Sequence, residues 1–189
     1  MAQSINALSL AHRFIAEHVS EGDICIDATA GRGGDTVFLC ELVGKSGKVI
    51  AFDIQQAAVD STAERIRENG FEDRAQVVLD SHSNMDAYAQ EGTVSCITFN
   101  FGWLPGGDHN IFTKAESSIA AIEKGLRLLR PDGVMSLCIY YGRETGFEER
   151  DALLEYLAQL DSRVCSVLVN SFVNRPNCPP IAAFILKGR

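Results

Sequence analysis

The chain has 189 residues, 46% of them hydrophobic and 22% charged, with 16 Gly and 5 Pro, a composition that excludes disordered, collagen-like and low-complexity proteins. Its length suits one globular domain, 1–189, around one sizeable core. The formal net charge of −8 argues against indiscriminate adhesion to nucleic acid or anionic membrane and still allows a local basic groove.

Ile5, Leu8, His12, Ile15 and Val19 recur every three or four residues, the stripe of an opening amphipathic helix that stops before Glu21-Gly22-Asp23. Within that stripe His12 reads as a hydrogen-bonded, partly buried histidine. Ile24 to Asp27 is a short buried strand, and after a glycine-rich stretch, 31–34, Asp35 to Val43 is a helix. Lys48 to Ile54 is a second buried strand. A helix over 56–69 is stopped by Gly70, Ala75 to Leu79 is the third strand, 83–90 a short helix, and Val94 to Phe99 the fourth strand.

Thr113-Lys114-Ala115-Glu116 has the form of a capping box, opening a helix with Ile119, Ile122, Leu126 and Leu129 on one face, which Pro131-Asp132-Gly133 closes. Val134 to Tyr140 is strand five, Glu148 to Leu160 a helix with Leu153, Leu157 and Leu160 inward, and Arg163 to Val173 strand six. Ile181 to Leu186 follows through a loop with no room for a crossover helix, so strands six and seven must run antiparallel. The alternation predicts an α/β fold, a doubly wound Rossmann-like sheet of seven strands with the last antiparallel.

No apolar run approaches the ~20 residues of a membrane span, and Met1 to Ser20 lacks the pattern of a signal peptide. A cytosolic protein without membrane contact is therefore expected. Cys25, Cys40, Cys96, Cys138, Cys165 and Cys178 are scattered with no C-x-x-C pair, which suits reduced core thiols and gives no metal site.

In such a sheet ligands bind outside the carboxyl ends of the strands. Polar and glycine-rich residues collect at those ends: Asp27 to Thr36, Asp53 to Gln55, Asp80 to His82 and Asn100 to His109. The first loop follows a strand and opens a helix, where glycines let backbone approach a ligand. Gly31 and Gly33 match a dinucleotide fingerprint, but its third glycine is Thr36 here and the strand ends in Asp27. A carboxylate repels a pyrophosphate and favours the ammonium and sulfonium of S-adenosylmethionine. The predicted cofactor residues are Asp27, Thr29, Gly31, Gly33, Gly34, Asp35 and Thr36 in this loop, with Asp53 for ribose hydroxyls and Ile54 and Gln55 beside it. Asp80, Ser81 and His82 face the adenine amine in this reading, and Asn100 closes the set.

Gly22-Asp23-x-x-Ile26-Asp27-Ala28-Thr29-x-Gly31-x-Gly33-x-Asp35-Thr36, Phe52-Asp53-Ile54-Gln55, Asp80-Ser81-His82, Asn100-x-Gly102-x-Leu104-Pro105-Gly106-Gly107-Asp108 and Asn174-x-x-Asn177-x-Pro179-Pro180 together resemble the small bacterial S-adenosylmethionine-dependent methyltransferases labelled rRNA methylases. The resemblance spans nearly the whole chain. It implies a class I methyltransferase sheet, a homodimer, and methylation of the exocyclic amine of 5-aminomethyl-2-thiouridine at the tRNA wobble position. This chain carries Arg32 and Gly34 where that family usually has Asn and His, Tyr141 and Arg143 where it has His, and Arg175 where it has Gln.

Methyl transfer requires alignment of nucleophile, methyl and sulfur, with a neutral amine as nucleophile. Asn100, at the end of strand four, is predicted to accept a hydrogen bond from that amine. Asp108, His109, Tyr140 and Tyr141 are the candidates to take up or relay the proton. Trp103 or Phe101 is placed to stack on a splayed-out base, and Arg32, Lys114, Arg143 and Arg175 to meet RNA phosphates. Three other readings share parts of this pattern: an enzyme on the same cofactor acting on ribosomal RNA or a small molecule, a non-catalytic cofactor- or RNA-binding module, and a nicotinamide dehydrogenase, which Thr36 opposes.

Overall fold

The computed structural model describes residues 5–102, 113–142 and 144–188. Trp103, Asp108, His109 and Arg143 therefore lie outside the described residues. Among the described residues seven strands form one sheet in the order β3-β2-β1-β4-β5-β7-β6. They are β1 (Ile24–Asp27), β2 (Lys48–Asp53), β3 (Ala75–Leu79), β4 (Val94–Phe101), β5 (Leu129–Ile139), β6 (Cys165–Asn170) and β7 (Ile181–Lys187). β7 lies between β5 and β6 and runs antiparallel to both, while the other described pairings are parallel. The reversed last strand is as the short preceding loop requires.

Helices α1 (Ala7–Ala16), α2 (Gly34–Val43), α3 (Gln56–Glu68), α4 (Ala115–Leu128) and α5 (Glu144–Gln159) cover the sheet, with a short 3₁₀ helix at His82–Ala87. Alternate residues of each strand feed two cores, because side chains of a strand point to opposite faces. Ala11 and Ile15 of α1 and Leu39 and Val43 of α2 pack with Cys25, Val49, Cys96, Cys138 and Ala182 on one face. On the other face Ile122, Leu128, Leu153 and Leu157 meet Ile26, Phe52, Ile97, Phe99 and Leu137. Five cysteines are buried and free, and Cys178 is half-buried and free.

Four local expectations change. Thr113 makes no capping box: the residue before α4 is Lys114, which gives no side-chain cap, and Thr113 Oγ1 instead donates to Glu149 Oε2 at 2.7 Å while accepting from the Gly102 N–H at 2.8 Å. α4 ends at Leu128 and β5 already begins at Leu129, paired with Val94 before an irregularity in the register; Asp132, at φ 60, turns within it. α5 starts one turn before Glu148, and strand six is shorter than its apolar stretch.

Candidate active site

The order reverses between β1 and β4, the position at the carboxyl ends of a doubly wound sheet where a crevice opens. A cavity of about 280 Å³ lies there, walled by Thr29, Gly31, Asp35, Asn100, Tyr140 and Leu8, among others. The first loop is tied to both neighbouring strands: the Ala28 N–H donates to the Thr98 carbonyl and the Ala30 N–H to the Phe52 carbonyl. Gly33, at φ 74, takes the left-handed conformation that starts α2 without a side-chain cap. A Cβ there would stand 3.1 Å from Thr62 Cα.

Two carboxylates organise this loop. Asp53, ending β2, accepts from the Gly31 N–H at 3.0 Å and the Gln55 N–H at 2.9 Å, which leaves lone pairs on both oxygens for further donors. Ile54 beside it is 57% exposed and offers an apolar flank. Asp27 is fully buried, accepting from Thr36 Oγ1 at 2.6 Å and the Thr29 N–H at 3.2 Å. Burial, reinforced by the charge of Asp35 nearby, pushes its carboxyl up to about 7 against these two hydrogen bonds.

Asn100 is held at two points, its N–H donating to Thr29 Oγ1 and its Nδ2 to Asp35 Oδ2, both at 2.7 Å. Asp35 Oδ1 also accepts from His12 Nε2 at 2.7 Å. Tyr140 lines the same cavity, and burial pushes its phenol up to about 12, so it stays a neutral hydrogen-bonding group. Phe101 is buried and stacked on Phe99 at 5.0 Å between centroids, and it also lines the cavity. Leu8 is a cavity wall that its place in an apolar stripe gave no sign of.

The residues after β3 divide differently from their grouping in sequence. Asp80 is occupied by the Ser81 N–H, Asn84 Nδ2 and Tyr88 Oη; these bonds, the Asn84 one first, hold its carboxyl below the usual carboxylate range. Ser81 caps the 3₁₀ helix. His82 is buried edge-on against Phe99 and Phe101, and burial lowers its pKa. Arg175 stacks on Phe172 at 3.8 Å and donates to the Ile5 carbonyl at 2.7 Å, joining the β6–β7 loop to the start of α1.

A family model described as "Putative rRNA methylase" matches residues 49–186. The chain belongs to that rRNA methylase family. A crystal structure from Clostridium thermocellum, described as a "putative rRNA-methylase", is 42% identical with a TM-score of 0.95 over 98% of this chain and 99% of that one. SMU.1697c of Streptococcus mutans, described as a "putative methyltransferase" and solved in complex with S-adenosylhomocysteine, is 33% identical with a TM-score of 0.88 over 98% and 99% of the two chains. The chloroplastic tRNA (mnm(5)s(2)U34)-methyltransferase of Arabidopsis thaliana is 32% identical over 96% of this chain and 69% of that protein. This rRNA methylase is an S-adenosylmethionine-dependent methyltransferase with the α/β sheet of that class. The donor set fits the cofactor: carboxylate oxygens with spare lone pairs at Asp53 and an acidic rim at Asp35.

Proposed function

We propose that this methyltransferase N-methylates the aminomethyl group of wobble 5-aminomethyl-2-thiouridine in tRNA. The observation that carries the reading is the state of Asn100: its amide nitrogen is taken by Asp35 at 2.7 Å, which leaves its oxygen as an acceptor at the wall of the cavity. An oxygen there accepts an N–H of a neutral amine and keeps the nitrogen lone pair free for the in-line approach. The relative from Arabidopsis, named for that uridine, points to the same amine.

When bound, S-adenosylmethionine supplies the electrophilic methyl and leaves as S-adenosylhomocysteine. In this reading Asp53 would accept from the ribose hydroxyls, Ile54 would flank the adenine, and Thr29, Gly31, Gly33, Gly34 and Asp35 would hold the methionine part. Asp27 and Thr36 brace the loop from below. An amine that takes up a methyl becomes cationic, and the carboxylate of Asp35 would offset that charge before the proton leaves. Tyr140 orients by hydrogen bonding, and Asp108 and His109 stay candidates to carry the proton away.

Arg32 at the cavity wall, exposed Lys114, Arg143 and the unused N–H groups of Arg175 would meet RNA phosphates, with Trp103 stacking on the base. The same reading takes residues 1–189 as one cytoplasmic domain that pairs with a second copy through edge strand β6, where Leu168 and Val169 are exposed and no charged residue interrupts the strand.

The test is transfer of labelled methyl to bulk tRNA from a strain lacking its own wobble methylation, followed by nucleoside mass spectrometry. Label on the aminomethyl uridine is the expected result. Cofactor binding without label on that tRNA overturns the substrate and directs the search to ribosomal RNA or small amines.

A further inference from the structure

We propose that His12 is a positioning residue for the reaction, fixing through Asp35 which end of the Asn100 amide faces the cavity. The proposal rests on the reading of Asn100 given above. An Asn side chain has two ends of nearly equal shape, one accepting and one donating, and only its partners decide which end points where. Asp35, as a carboxylate, can only accept, so the amide nitrogen must face Asp35 Oδ2 and the oxygen must face away from it.

That lock is only as firm as the carboxylate itself. Asp35 sits in the first turn of α2, with its side chain 12% exposed, and its second oxygen is held by His12 Nε2 at 2.7 Å. The acceptor character of Asp35 requires the tautomer of His12 with the proton on Nε2. The imidazole is in turn clamped flat against Phe38, centroids 3.9 Å apart and planes 9° apart. Phe38 lies one turn beyond Asp35 on α2, so one helix provides both the acceptor and the shelf for the ring.

Leu8, one turn before His12 on α1, walls the cavity. One face of α1 thus shapes the cavity with Leu8 and sets its acceptor with His12. The chain His12, Asp35, Asn100 runs from a side chain 31% exposed to the cavity wall with bonds of 2.7 Å throughout. A contact that merely pinned α1 to α2 would not need to end on the group that meets the substrate.

The test uses His12→Leu, which keeps bulk against Phe38 and removes the donor, and His12→Gln, whose amide nitrogen reaches about where Nε2 stands. Each is made in the full chain and in the Asn100→Ala background. The first readout is the side-chain amide pair of Asn100 in ¹H–¹⁵N NMR spectra of the protein alone, identified by its loss in Asn100→Ala. We expect that pair to move in His12→Leu and to stay in His12→Gln. The second is kcat and KM for tRNA with the unmethylated wobble aminomethyl uridine, together with calorimetric affinity for S-adenosylhomocysteine.

His12→Leu should lower kcat about 10- to 100-fold, the scale of a misplaced reacting group, with KM and cofactor affinity retained, and His12→Gln should recover most of that loss. In the Asn100→Ala background the effect of His12→Leu should vanish, since both act through one amide. Equal losses in the Leu and Gln variants, an unmoved amide pair, or an undiminished effect in the Asn100→Ala background would each overturn the role of His12. Failure of the tRNA as a substrate, or full kcat in Asn100→Ala, would instead overturn the proposed function and leave the amide pair to decide on His12.

Discussion

Asp27→Asn should remove a pH-dependent loss of stability that the buried carboxylate imposes. In the folded chain Asp27 titrates near 7 because burial and the neighbouring charges of Asp35 and Asp53 oppose ionisation, against an ordinary value of 3.8. Between these two pH values the folded state binds a proton that the unfolded state has released, so stability falls as pH rises through that window and levels off above about 7. At about 1.4 kcal/mol per pH unit, the interval from 3.8 to about 7 corresponds to on the order of 4 kcal/mol.

Asn keeps the shape of this side chain, and its oxygen can accept from the Thr29 N–H while its nitrogen donates to the Thr36 hydroxyl, which turns to accept. Urea unfolding of both proteins across the range from about pH 4 to about pH 8 checks the argument, because other titrating groups cancel in the difference. The variant should gain on the parent by on the order of 4 kcal/mol across that range. A difference in unfolding free energy that does not change with pH would refute it.

Three further outcomes follow from the same geometry. Asp53→Ala strips the acceptor from the Gly31 and Gln55 N–H groups and should weaken S-adenosylhomocysteine binding by about 10- to 100-fold in calorimetry, the scale of about 1.5 to 3 kcal/mol for a hydrogen bond to a charged group; an equal fall in kcat at saturating cofactor would place Asp53 in the chemistry instead. Glu149, whose carboxyl burial raises, accepts from Thr113 and Ser118 hydroxyls at 2.7 and 2.8 Å. Glu149→Gln should therefore lose under about 1 kcal/mol and Glu149→Leu about 2 to 4 kcal/mol by urea unfolding, and equal losses would show that the hydroxyls find other partners. Gly33→Ala forces a side chain onto a backbone at φ 74 with Thr62 Cα 3.1 Å away and should lower stability by about 1 to 3 kcal/mol; an unchanged unfolding midpoint would mean the loop relaxes.

Much of this arrangement was legible because it depends on local pattern. The acid ending β1, the glycines after it and the acid ending β2 each follow a buried apolar run, and a doubly wound sheet brings such strand ends to one crevice. What sequence could not supply was the choice of partner across the chain. Thr113-Lys114-Ala115-Glu116 has the spacing of a capping box, yet Glu149, far along the chain, offers Thr113 a buried carboxylate and wins. His12 reads correctly as a hydrogen-bonded helix residue, but that its partner is Asp35, and that Asp35 in turn holds Asn100, depends on the docking of α1 against α2. Asp80 and His82 adjoin in sequence and separate in space, one engaged by Tyr88 and Asn84 at the surface and the other closed in beneath Phe99 and Phe101.

The place of β7 bears on how the chain assembles as it is made. β1, β2 and β3 fall within residues 24–79, so the half of the sheet that carries Asp27 and Asp53 needs only one short stretch of chain and β4 to complete its inner edge. β6 is synthesised before β7 and finds its pairing only with it, and β5 keeps an open flank until β7 fills it. A nascent chain halted before Ile181 would thus expose two unsatisfied strand edges, the feature that invites wrong partners. Tyr140, just past β5, is already fixed to β4 by then, its N–H donating to the Phe101 carbonyl, so the outer flank of the sheet and not the crevice is the final part to be built.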